Sequence, residues 1–138
     1  MKTATSLLFV SFMAVSTSAA ARAPVPIVDY PAVEAKNFGG TPLTASQVSQ
    51  AIQDAARKRG WIILKQKDGK LIARRGWKDD KHVIYSEITP IEGGYSLVYK
   101  SSVNMNYSAD GGWANDESGG NAKLPVIHPY YNRYVSKL

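Results

Sequence analysis

The chain has 138 residues, with 17 Lys or Arg against 11 Asp or Glu, a formal net charge of +6 and no cysteine. Lacking cysteine, it can form no disulfide and carry no lipid on an N-terminal cysteine, so an exported protein of this kind is stabilised by its core alone. The excess charge is local: from Arg57 to Lys81 ten Lys or Arg stand against three Asp, whereas the rest of the chain after residue 21 has six basic and eight acidic residues.

Residues 1–21 read as a secretory signal peptide: Lys2 supplies a charged start, Leu7 to Val15 an apolar stretch and Ser16 to Ala21 a run of small residues. The apolar run is too short for a membrane span. Ala19 and Ala21 make the cleavage pair, because the alternative, Ala21 and Ala23, would set Pro24 directly after the cut. The expected location is periplasmic or secreted, with no transmembrane segment in the mature form. About 115 residues then remain, enough for one domain that buries roughly 60 to 70% of its unfolded surface.

Residues 22–42 hold four of the seven prolines and a Gly pair without periodicity. They read as an extended N-terminal linker, laid across the domain by Ile27, Val28 and Tyr30. A helix follows. Thr44 is an N-cap with Gln47 three residues on, and Leu43 and Val48 are spaced as a hydrophobic staple. Val48, Ala51, Ile52 and Ala55 form its apolar stripe, Arg57, Lys58 and Arg59 suit its C-terminal dipole, and Gly60 closes it in a left-handed cap.

The next stretch, WIILKQKDGKLIARRGW, places two apolar runs around Asp68-Gly69 and predicts a two-residue hairpin pairing Lys67 with Lys70. Alternation then sends Ile62, Leu64, Leu71 and Ala73 to the core, with Gln66 and Arg75 at the edges. Ile63, Lys65, Lys67, Ile72, Lys70 and Arg74 form the other face, with Trp61 at its end. Residues 81–89 and 95–103 read as a third and a fourth strand. At the C-terminus Ile127, Tyr131, Tyr134 and Leu138 recur at helical spacing, with Pro129 suited to the first turn. The expected fold for residues 43–138 is therefore a single α+β domain, a two-layer sandwich. Two helices cover one face of a four-stranded antiparallel sheet and leave the other open.

The ending I-H-x-x-Y-N-x-aromatic-V-x-x-L, here Ile127, His128, Tyr131, Asn132, Tyr134, Val135 and Leu138, resembles that of a family of small exported bacterial proteins that includes lipoprotein-type members. The resemblance spans residues 44–138 and implies fold and compartment only. The chain departs from the family in lacking the lipid-carrying cysteine and in a longer segment at residues 104–121.

Three stretches invite a functional reading. In NYSADGGWANDESGG, Asn106, Ser108 and Asp110, with Gly111 and Glu117, match EF-hand spacing with two weakened ligands, a weak calcium site in a loop anchored by Trp113. His82 beside Glu87, or His128 near Tyr131, would be the acid-base pair of a small periplasmic enzyme. Neither has a nucleophile elbow, paired carboxylates or metal-ligand spacing beside it. The basic face of the hairpin, Trp61, Lys65, Lys67, Lys70 and Arg74, is the ligand-binding candidate, since clustered cations hold anionic partners and an indole adds stacking. The expectation is a non-catalytic binding protein, without cofactor or metal, that engages an anionic envelope component or a protein partner rather than nucleic acid. The enzyme and calcium readings are the alternatives.

Overall fold

Thr44 opens the first helix as its capping box requires: its hydroxyl accepts from Gln47 N–H at 3.2 Å while Gln47 Oε1 accepts from Thr44 N–H at 3.0 Å. The computed structural model describes residues 22–115 and 121–138, so the leader expected at residues 1–21 and Glu117 of the calcium reading lie outside the described residues. The elements run β1 (Val25–Pro26), β2 (Tyr30–Glu34), α1 (Ala45–Lys58), β3 (Ile62–Lys65), β4 (Leu71–Trp77), β5 (His82–Ile91), β6 (Gly94–Val103), β7 (Ser108–Asn115), β8 (Asn121–Ile127) and α2 (Tyr130–Val135). Helix α1 ends in a Schellman turn. Gly60, at φ +75°, donates to Arg57 O at 3.2 Å, and Trp61 N–H donates to Ala56 O at 2.9 Å.

The helix, four-strand, helix sandwich expected from the sequence is not what forms. The described chain is mostly β, with eight strands in two antiparallel sheets, β1-β8-β7 and β2-β6-β5-β4-β3, and two short helices. Both differences have local causes. Residues 22–42, expected to be a linker, supply an edge strand to each sheet, which is where proline is tolerated because no second neighbour needs its missing N–H. The Gly-rich stretch becomes β7 because it pairs with β8 at close quarters: a Cβ on Gly112 would come within 2.6 Å of Val126 Cγ1. Pairing, rather than residue preference, makes this strand.

The core lies on one face of the five-stranded sheet. Leu71 and Ala73 of β4, Ile84 and Ile88 of β5 and Leu97 of β6 meet Ala56 of α1, Tyr131 and Val135 of α2, and Trp61, Met105 and Ile127. Asn132 reaches the N-terminal segment, accepting from Val28 N–H at 3.0 Å and donating to Pro26 O at 2.8 Å. Asp29 Oδ1 accepts from Tyr99 N–H at 2.9 Å and pins the same segment to β6.

Tyr131 is fully buried, meets Tyr99 edge-on at 5.3 Å, and shares a hydrogen bond of 3.3 Å with the equally buried Ser86. Removing either partner leaves the other buried and unsatisfied, at a cost of about 1–3 kcal/mol, whereas removing both avoids most of it. Denaturant unfolding of Tyr131→Phe, Ser86→Ala and the double variant is therefore expected to show sub-additive losses. Additive losses would contradict the pairing.

Candidate functional site

The hairpin that carries the basic residues closes differently from a two-residue turn. Gln66 N–H donates to Lys70 O at 2.8 Å, Gly69 N–H donates to Gln66 O at 3.2 Å, and Gly69 lies at φ +83°. This is a three-residue loop ending in a left-handed glycine. The pairing becomes Ile62↔Arg74, Ile63↔Ala73, Leu64↔Ile72 and Lys65↔Leu71, one residue away from the expected register. A one-residue slip exchanges the two faces of a strand. Ile62 and Leu64, expected in the core, are 52% and 46% exposed, while Trp61, expected at the end of the open face, is 3% exposed and Ile63 packs against the core.

The five predicted ligand-binding residues accordingly do not share a face. Trp61 and Lys65 fall on the helix side, Trp61 buried and Lys65 exposed; Lys67 is exposed in the turn; Lys70 and Arg74 lie on the open side. The last two are engaged. Lys70 Nζ lies 2.9 Å from Glu87 Oε1, Lys100 Nζ lies 3.4 Å from Glu87 Oε2, and Arg74 donates to Asp80 at 2.6 Å. The hydrogen bond from Lys70, with that from Lys100, holds the Glu87 carboxyl below its ordinary range, and the same bond to Glu87 pushes Lys70 up. Asp80, then Tyr85, act likewise on Arg74. Arg74 also anchors a strained turn, since Lys78, Asp79 and Asp80 all adopt positive φ.

A second cluster draws on residues far apart in sequence. Arg59 at the C-cap of α1, Trp61, Arg75 of β4, Tyr134 of α2 and Lys137 line a cleft of about 280 Å³. The Arg75 guanidinium carbon sits 4.4 Å from the Tyr134 ring centre and 5.9 Å from that of Trp61, and its Nη1 donates to Arg59 O. Tyr134 also leans on Trp77 at 5.2 Å. Sequence patterning assigns Arg59 to the helix dipole, Arg75 to a sheet edge and Tyr134 to the core. No periodicity links position 59 to position 134, so only the tertiary fold reveals the group.

The histidines are placed in other roles. His82 stacks on Trp77 at 5.4 Å and its Nδ1 donates to Asn104 O at 2.9 Å; Glu87, five positions along the same strand, faces the opposite side. His128 Nδ1 accepts from Tyr130 N–H at 3.2 Å. The Tyr131 hydroxyl, bound to Ser86, is pushed well above the ordinary phenol range by burial. Residues Ser108 and Asp110 of the calcium reading lie on β7, Ser108 paired with Val126 and Asp110 at the irregularity between Ser108 and Gly112, so they do not wrap a turn between helices. Among the described residues no helix is long and apolar enough to cross a membrane.

Burial, with the charge of Arg22 and then that of His82, lowers the affinity of His128 for a proton. The unfolded chain therefore binds the proton more readily, and stability that is intact above the free-histidine value of about 6.5 declines as pH falls below it. Thermal unfolding between about pH 8 and pH 5 is expected to show this decline in the native sequence and a shallower one in His128→Asn, which keeps an acceptor for Tyr130 N–H. Parallel profiles would contradict it.

Comparison with family models, curated proteins and solved structures finds no match to this chain.

Proposed function

We propose that the protein is a non-catalytic binding protein of the bacterial envelope whose β3 edge takes up an extended, acidic segment of a protein partner. Export is supported by the leader-like pattern at residues 1–21. The binding reading is carried by one observation: β3 ends the five-stranded sheet, with β4 as its one strand neighbour among the described residues. A free edge offers unpaired backbone groups to an added strand.

The side chains around that edge specify the partner. Ile62 and Leu64 are half-exposed on the open side, a patch suited to alternate apolar residues of an incoming strand. Lys65 and Lys67 are exposed and make no ion pair among the described residues, whereas Lys70, Arg74 and Lys100 already hold carboxylates. Two uncompensated lysines beside an apolar pair favour an acidic, amphipathic segment. They disfavour a second copy of this chain, which would bring like charges together.

Titration of the mature protein with a short alternating valine and glutamate peptide tests this. Binding is expected to weaken with salt, to slow amide exchange along Ile62–Lys65, and to fall by about tenfold in Lys65→Gln/Lys67→Gln, for two charge-assisted contacts worth about 1.4 kcal/mol together. Equal affinity of that variant, unaltered exchange at β3, or binding of anionic vesicles in place of the peptide would overturn it.

A further inference from the structure

We infer that the cleft between the end of α1 and α2 is a binding site for a small oxyanion, a phosphate- or carboxylate-bearing molecule, separate from the β3 edge. Five residues line it: three carry fixed positive charge and two are aromatic, and none carries a carboxylate. Arg59, Arg75 and Lys137 belong to three different parts of the fold, so their convergence is a property of the tertiary structure and not of a basic run in the sequence. Like charges gathered in one concavity repel unless an anion joins them.

Arg75 is the fixed element. Its guanidinium rests on Tyr134 at 4.4 Å and near Trp61 at 5.9 Å, and one N–H is spent on Arg59 O. A guanidinium carries five donors in a planar fork that matches the two oxygens of a carboxylate or phosphate. Holding it by two rings and a backbone carbonyl removes much of the freedom it would otherwise lose on binding. Arg59 and Lys137 are exposed, line the same cleft and supply two further positive charges to the same ligand.

Size and ring access narrow the class. At about 280 Å³ the cleft sits just under the range of roughly 300–1,000 Å³ usual for organic ligands. It suits a compact anion over a polymer. Trp61 is 3% exposed, and Tyr134 already packs on Arg75 and Trp77, so the rings position the guanidinium and leave little face for a ligand to stack on. Recognition therefore rests on charge and hydrogen bonding.

The test is titration of the full mature protein with pyrophosphate, inorganic phosphate and citrate at constant ionic strength, followed by the side-chain N–H resonances of arginine. Saturable shifts of the Arg75 Nε–H signal are expected, with affinity reduced at least about tenfold in Arg59→Gln/Lys137→Gln. Arg59 holds Arg75 through its backbone carbonyl, which the substitution keeps, so that variant should melt with the native protein. Arg75→Met should lose both affinity and thermal stability. An Arg75 signal unmoved by all three anions would overturn the proposal, and so would equal binding by the Arg59→Gln/Lys137→Gln variant. The Lys65→Gln/Lys67→Gln variant should bind these anions normally, which keeps the cleft and the β3 edge distinguishable.

Discussion

The bond from Gln66 N–H to Lys70 O decides most of what this molecule presents to its surroundings. Three successive apolar residues, Ile62, Ile63 and Leu64, enter the hairpin, so hydrophobic alternation cannot choose which of them points inward. The turn chooses. With three residues between its closing positions instead of two, it brings Ile63 over Ala73 and sends Ile62 and Leu64 outward. Trp61 moves with Ile63, enters the core, and comes to lie beside Arg75. Had the turn closed with two residues instead, the tryptophan would sit on the open face and the cleft would lose a wall.

The second helix depends on this arrangement more than on its own sequence. Six residues are too few for a helix to persist in water on local propensity, since nucleation is costly and an isolated helix needs roughly 12–15 residues. Tyr131 and Val135 hold it to the sheet, Asn132 ties it to the N-terminal segment, and Tyr134 receives Arg75. An arginine over an aromatic ring contributes about 0.5–2 kcal/mol, increasing as the pair is desolvated. Arg75 is therefore both an anchor for α2 and the cation of the cleft held by two rings and a backbone carbonyl, so structure and recognition share a residue.

Local chemistry made part of this architecture readable in advance. The capping box at Thr44 and Gln47 and the glycine stop at Gly60 are signals contained within a few residues, and α1 begins and ends where they place it. Strands β5 and β6 follow from dense β-branched and aromatic runs, and β5 continues through Pro90 because β4 pairs only as far as Ile88. What failed to show depends on partners distant in sequence. Proline in β1 and β2 is acceptable only because those strands lie on edges, and glycine in β7 only because Val126 approaches it. Of the basic residues, the count was legible but not the distribution: Lys70 is paired with Glu87 of β5, and Arg74 with Asp80 of the turn that follows β4. Arg59, Arg75 and Lys137 converge from the end of α1, from β4 and from the segment after α2.

The hairpin register is most directly tested by comparing two neighbouring polar substitutions, Ile63→Asn and Leu64→Asn, in denaturant unfolding. Ile63 packs against the core and Leu64 is 46% exposed. The first variant should lose about 2–3 kcal/mol for a polar group forced among apolar neighbours, and the second should stay within about 0.5 kcal/mol of the native protein. A large loss at Leu64 with little at Ile63 would mean that the turn closes with two residues, that Trp61 lies on the open face, and that neither the cleft around Arg75 nor the apolar pair on the β3 edge exists.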